Sequence, residues 1–259
     1  MKDWGDSNWL GLWTLCEREV RRFLKVFTQT LIAPMVTTLL FLAVFALAIG
    51  RTGETIGGVP FLEFLAPGLI MMAMVQNAFA NTSSSITIAK VQGNIVDTLM
   101  PPLTADELTF GMSVGGVVRG LMVGIVVALS MSPFVSLHVH SLGYIVFHAV
   151  AASLLLSLMG TIGGIWSVKF DHIAAVTNFV VTPLAFLSGT FYSIERLPGV
   201  ARAIAHLNPF FYMIDGFRYG FTGHADAPPA VGLAVLLAAN AGLWLLCRWM
   251  FQSGYRLKA

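Results

Sequence analysis

Charge is what this sequence has least of. Only 11% of its 259 residues are Asp, Glu, Lys or Arg, against roughly 25% in an average soluble domain. A water-facing surface cannot be assembled from so few, which excludes an ordinary soluble globular domain. The two signs nearly cancel, 15 basic residues against 13 acidic. That leaves no basic face of the size nucleic acid needs, and nucleic acid is excluded as a partner. Cysteine is scarce as well. Cys16 and Cys247 stand at opposite ends of the chain, too few for a disulfide framework and not spaced as a metal knuckle, so they read as reduced thiols. Lysine followed by Ser or Thr is missing altogether. The lysines precede Asp3, Val26, Val91, Phe170 and Ala259, whereas a phosphate loop needs that pair after a Gly-rich run. The chain is therefore expected to hold no ATP site of its own and to bind no cofactor. No carboxylate pair, Ser-His-Asp order or Cys-His pair suggests an enzyme.

What is abundant is apolar: 56% of the residues. A membrane-crossing helix needs about 20 predominantly apolar residues. Six runs qualify: 31–50, 64–85, 108–133, 142–168, a shorter one at 173–189, and 230–247. The expectation is an all-α integral membrane protein with six transmembrane helices and both termini on one side. Short cytoplasmic segments are enriched in Lys and Arg. With the N-terminus inside, that side carries Lys2, Arg18, Arg21, Arg22, Lys25, Lys90, Lys169, Arg248, Arg256 and Lys258. The other side carries only Arg51, Arg196, Arg202 and Arg218. Both termini are therefore expected in the cytoplasm.

Residues 1–29 mix acids with bases and lack the apolar core of a signal peptide. Trp9, Leu12, Trp13, Val20, Phe23, Leu24 and Phe27 recur at three- and four-residue steps, with Arg18, Arg21, Arg22 and Lys25 largely between them. This is the pattern of an amphipathic helix lying in the membrane interface. An extended cytoplasmic start of the first span is the alternative.

Gly111, Gly115, Gly116, Gly120 and Gly124 form overlapping small-xxx-small steps, repeated at Gly160 and Gly164, which let helices approach backbone to backbone in lipid. The string Gly111-Met112-Ser113-Val114-Gly115 matches a hydrolase elbow only in letters, since its serine lies inside an apolar helix. Arg119 is the one formal charge near the middle of a span. The expectation is a structural residue, bonded to carbonyls or to an amide such as Gln76, Asn77 or Asn81, because no intramembrane acid stands by to form a proton relay. Gln76, Asn77 and Asn81 in the second span, with Asn178 and Thr182 in the fifth, should point away from lipid. They either line a wetted translocation path or bond between helices. His138 and His140 lack a third ligand, so no metal site is expected.

Two connections are more than loops. Residues 90–100 form a short amphipathic cytoplasmic piece closed by Pro101 and Pro102, which cannot continue a helix. Residues 190–228 are rich in aromatics, among them Phe191, Tyr192, Phe210, Phe211, Tyr212, Phe217, Tyr219 and Phe221. Such apolar content argues for re-entrant helical pieces broken at Pro198 and Pro209.

With these two segments the chain resembles the permease subunit of type-2 ATP-binding-cassette (ABC) exporters, in the YadH-like branch that also includes Nod-factor-type permeases. The resemblance rests on Pro67-Gly68-Leu69, on Gln92-Gly93-Asn94-Ile95-Val96-Asp97-Thr98-Leu99 before Pro101-Pro102, and on Gly115-Gly116-Val117-Val118-Arg119-Gly120. It continues through Pro183-Leu184-Ala185-Phe186-Leu187-Ser188-Gly189-Thr190-Phe191-Tyr192-Ser193, Leu207-Asn208-Pro209 and Tyr212-Met213-Ile214-Asp215-Gly216-Phe217-Arg218-Tyr219-Gly220. It implies a transmembrane domain over 30–259 of an inner (plasma) membrane protein, working as a homodimer among membrane lipids. It implies a separate ABC ATPase that holds ATP and Mg. Gln92 to Leu99 would be the coupling helix seated on that ATPase, where the commoner family pattern has an acid and Gly-Thr in place of Gln92, Gly93 and Asn94. The hairpin bearing Phe191, Tyr192, Asn208, Pro209 and Arg218 would cap the outer end of the path, and few polar walls suit an amphipathic or lipid-like cargo for export. A scaffold of the same fold without transport, and an ion-driven carrier, are the competing readings.

Overall fold

The computed structural model describes residues 8–48 and 55–257. Gly50 and Arg51, the expected end of the first span, and the flanking Lys2 and Lys258 lie outside the described residues. The apolar runs become helices because only internally paired backbone tolerates lipid. Asn8 caps α1 (Trp9–Leu24), its side-chain oxygen accepting from Gly11 N at 3.0 Å. A π-helical turn (Thr28–Ile32) leads into α2 (Ala33–Ala48). The expected Gly-rich turn after it contains a small hairpin. Strands β1 (Thr55–Ile56) and β2 (Val59–Pro60) pair antiparallel around Gly57 and Gly58, both of which need the positive φ (58° and 79°) that glycine adopts freely.

Helix α3 (Phe61–Val91) is 31 residues long, about 46 Å at 1.5 Å per residue. It runs well past the expected end of its span. After α4 (Ile95–Leu99) comes α5 (Ala105–Met131), opened by a capping box in which Thr104 and Glu107 satisfy each other's backbone N–H. Helix α6 (Leu142–Trp166) follows. Then α7 (Phe170–Val176), a π-helical turn (Thr177–Val181) and α8 (Thr182–Phe186) run on as one apolar helix. A short hairpin of α9 (Gly199–Leu207) and α10 (Pro209–Thr222) precedes α11 (Pro229–Ser253).

Among the described residues, five helices are long and apolar enough to cross a membrane: Thr28–Ala48, Phe61–Val91, Ala105–Met131, Leu142–Trp166 and Pro229–Ser253. The protein is thus an all-α integral membrane protein, with five helices of that length among the described residues. The expected fifth span, 173–189, is the shorter helix Phe170–Phe186, about 25 Å at 1.5 Å per residue. The chain leaves helical geometry after Leu187 and turns at Gly189 with φ 72°.

The core is threaded on α3, which packs against α5 and α6 along most of its length. Glycines permit this approach. A Cβ on Gly160 would overlap Thr82 and the carbonyl of Phe79, and one on Gly164 would lie 3.1 Å from the carbonyl of Ser83. On α5, Gly116, Gly120 and Gly124 meet Ser157, Ser153 and Met74, whereas Gly111 and Gly115 receive Leu15 and Glu19 of α1. The small-residue steps on α5 therefore serve two faces, one for α3 and α6 and one for the N-terminal helix.

Candidate functional site

Sequence and geometry meet first at the α3–α4 corner. Gly93, with φ 74°, closes α3 in a Schellman motif: Asn94 N donates to Ala89 O at 2.9 Å and Gly93 N to Lys90 O at 3.1 Å. Helix α4 then stops at Met100 before Pro101 and Pro102. The expected coupling segment 90–100 is accordingly shorter as a helix than the sequence suggested. Lys90 and Val91 belong to the last turn of α3, and only Ile95–Leu99 is helical, because the αL turn at Gly93 must separate the two. Ile95 and Thr98 face inward, three residues apart, while Gln92, Gly93, Asn94, Val96 and Asp97 are exposed and Leu99 is half-buried. Ile95 packs in a cluster with Leu15, Ile86, Leu108 and Met112.

Helix α1 packs on α5 and joins this corner to the interior of the helix bundle. Trp9 and Trp13 are 74% and 68% exposed, while Leu15, Glu19 and Phe23 turn inward at four-residue spacing. Phe23, grouped with the tryptophans in the sequence pattern, is thus on the buried face. Glu19 is the residue that sequence reasoning missed. Its side chain has no exposure, accepts from Ser85 Oγ at 2.9 Å, and pairs with Arg18 at 3.0 Å and Arg22 at 3.4 Å. The Arg22 Nε contact with Glu19 Oε2 is an ion pair without hydrogen-bond alignment. Arg18 also donates to Thr98 Oγ1 of α4 at 3.0 Å, so one arginine touches both the α3–α4 corner and the buried acid. The available signal was a carboxylate in phase with Leu15 and Phe23, and Gly115 leaves room for it: a Cβ there would lie 2.6 Å from Glu19 Cβ.

Above this network a cleft of about 680 Å³ opens between α1, α2, α3 and α5. One end is polar, with Arg22, Gln76, Asn77, Ser84 and Arg119; the other is apolar, with Phe41, Leu69 and Met72. Asn77 Oδ1 accepts from Arg119 Nη2 at 2.9 Å and Nε at 3.3 Å. Asn81 is buried beside the cleft, and Arg22 Nη2 donates to its backbone oxygen at 2.6 Å and its Oδ1 at 3.0 Å. An arginine near mid-bilayer costs roughly 2.5–3.5 kcal/mol on insertion scales, and the neutral amide of Asn77 offsets only part of that. The structure thus brings Gln76, Asn77, Asn81 and Arg119 together but leaves the rest of the expected path elsewhere. Asn178 is exposed on the outside of the Phe170–Phe186 helix and Thr182 is half-buried there. Asn178 was expected to point inward. In the single chain it does not, because that helix sits at the periphery, backed by α3 and α6 near its start and by α10 near its end.

At the opposite end the hairpin is tied down by polar side chains. Asn208 accepts from Phe210 N at 3.0 Å, capping α10 just before Pro209, and donates to Leu184 O and Ser188 Oγ at 3.1 and 3.0 Å. Arg218 is buried. It donates to Phe64 O at 3.1 Å and Gly189 O at 2.7 Å and lies 3.6 Å over the Phe64 ring. Asp215 accepts from Asp226 N and Ala227 N at 2.8 and 3.0 Å. Phe191 stacks on Phe45 of α2, centroids 5.3 Å apart, and Tyr192 is half-buried beside it. Among the described residues, no three of His, Cys, Asp and Glu are grouped to hold a metal ion.

The chain that folds into these long apolar helices, with a short proline-stopped helix between α3 and α5, matches one family over most of its length. The family profile described as ABC-2 type transporter matches residues 11–222. The chain belongs to the ABC-2 type transporter family. It is 38% identical over 251 residues to the inner membrane transport permease YadH of Escherichia coli (strain K12), covering 97% of this chain and 98% of that protein. It is also similar to nodulation protein J of Neorhizobium galegae, 21% identical with 85% and 83% of the two chains covered, and of Rhizobium leguminosarum bv. viciae, 22% identical with 90% and 89% covered. The chain is accordingly a multi-pass inner-membrane permease of that family, whose members generally pair with an ABC ATPase.

Proposed function

We propose that this permease is half of a homodimeric exporter that moves an amphipathic, lipid- or glycolipid-like substrate, driven by a separate ABC ATPase that holds ATP and Mg. Residues 1–29 form an interfacial element and residues 30–259 the transmembrane domain. In this reading the Phe170–Phe186 helix completes six crossings, both termini are cytoplasmic, and residues 190–228 form a re-entrant cap at the outer side. The excess of Lys and Arg on the cytoplasmic side supports that orientation. Helices α2, α3 and Phe170–Phe186 of two copies wall the path. The exposed apolar residues of α2 and the 81% exposure of Phe179 support this, since such a surface calls for a partner or lipid.

The observation that carries the reading is the chain of contacts from the inward face of α4 to α3: Thr98 to Arg18, Arg18 to Glu19, Glu19 to Ser85 of the cleft-lining helix. ATP-driven closure of the ATPases shifts a conformational equilibrium only if they bind one permease state better than the other. A rigid helix corner linked by hydrogen bonds to α3 converts that preference into movement of the cleft wall. Gln92, Asn94, Val96 and Asp97 are the groups free to meet the ATPase, while Ile95 holds the corner in place.

The test is co-reconstitution of the chain with its ABC ATPase in proteoliposomes. Asp97→Arg with Val96→Asp is expected to lower transport per ATP hydrolysed at least tenfold while the permease stays folded. Unchanged coupling refutes the assignment of α4.

A further inference from the structure

We infer that the cleft binds the anionic head group, a phosphate or carboxylate, of an amphiphile, held between Arg119 and Arg22. The inference rests on the reading of this cleft as part of the export path and adds the chemistry of the cargo's polar end. Two guanidiniums, Arg22 and Arg119, line the cleft, and among the described residues no carboxylate does. Glu19 is shared by Arg18 and Arg22. Arg119 has only the neutral amide of Asn77, and among the described residues no acid forms an ion pair with it. A partly buried cation without a counter-charge binds an anion more strongly than the same cation in water, because low dielectric strengthens the attraction that water would screen.

The two arginines line the same cleft and are held by neighbouring turns of one helix. Asn77 and Asn81 lie four residues apart on one face of α3, about 6 Å along the axis. Asn77 holds Arg119 and Asn81 holds Arg22, so both guanidiniums are pinned about one turn apart at the polar end of the cleft. Held there they repel one another, and a bound phosphate or carboxylate relieves the repulsion. Guanidinium forks match the paired oxygens of either anion. A free anion would leave the other half of the cleft without purpose. Phe41, Leu69 and Met72 line it, and an acyl or other apolar chain fits that wall. The volume of about 680 Å³ is within the roughly 300–1,000 Å³ of ligand sites.

The experiment uses the full chain in nanodiscs of phosphatidylcholine, without ATP, and measures equilibrium binding of radiolabelled monooleoyl phosphatidic acid. Monooleoylglycerol and inorganic phosphate serve as the neutral and chain-free probes. The phosphatidic acid is expected to bind at least tenfold more tightly than monooleoylglycerol. Arg119→Gln should abolish that ratio and Arg119→Lys should keep much of it. Equal affinity for the two amphiphiles overturns the inference, as does a ratio unaffected by Arg119→Gln, or displacement by inorganic phosphate at the concentration at which the amphiphile itself acts. Should Arg119→Gln fail to fold, the probe series on the unaltered chain still decides between these outcomes. Preserved anion preference without ATP-driven export counts against the transport reading alone, and export restricted to neutral amphiphiles counts against this inference alone.

Discussion

Replacing Glu19 by alanine is the sharpest perturbation this architecture offers. The carboxylate is fully buried and touches Ser85, Arg18 and Arg22. Breaking a buried ion pair by deleting one partner costs about 3–5 kcal/mol, because the other charge is left without compensation. Here the partners retain some water, the Arg18 side chain being 44% and that of Arg22 30% exposed, and screening lowers the expected loss to about 2–3 kcal/mol. For a domain of this size each kcal/mol shifts the unfolding midpoint by about 2–4 °C, so Glu19→Ala should melt about 4–12 °C below the parent. Glu19→Gln preserves shape and the Ser85 bond and should fall between the two. The assay is thermal unfolding of the detergent-purified chain, followed by far-ultraviolet circular dichroism. A midpoint for Glu19→Ala within about 2 °C of the parent would refute the buried network and with it the link from α1 to α3.

Two further outcomes follow from packing. A Cβ on Gly216 would overlap the imidazole of His148, itself buried between α6 and α10, so Gly216→Ala should cost about 1–3 kcal/mol through overpacking, and His148→Ala should restore part of it in the double variant; a neutral Gly216→Ala in the same melting assay sinks this contact. If two copies meet along the Phe170–Phe186 helix, Phe179→Cys in a chain with Cys16 and Cys247 replaced by serine should form a disulfide-linked dimer in native membranes. Leu245→Cys, on the exposed side of α11, should not, and the reverse pattern on a non-reducing gel refutes that arrangement.

Much of the fold was legible because lipid leaves a chain few choices. The apolar runs behind α2, α3, α5, α6 and α11 marked their helices, the Pro101-Pro102 pair closed the α3–α4 corner, and Pro209 opened α10. Less was legible where an element's bounds depend on what it packs against. The expected fifth span, 173–189, kept its length but lies three residues nearer the N-terminus, at Phe170–Phe186, because the chain turns at Gly189, and the helical part of the coupling segment shrank to α4 because α3 continues through Val91. The N-terminal helix misled most. Its tryptophans pointed to an outward stripe, yet its inward face carries an acid.

Composition and spacing alone determined that the chain lives in a membrane, is helical and has no lysine followed by Ser or Thr, because those properties depend on residue type and local periodicity; the resemblance to ABC-type permeases came from particular motifs. Which polar groups meet was decided only by tertiary structure. Asn77 found Arg119, Asn81 found Arg22, Glu19 was buried beside Gly115, and Asn178 was left outside. The reason is physical: a helix's sequence specifies its own faces, whereas the partner of a buried charge depends on how separate helices rotate and slide against one another as glycine contacts close.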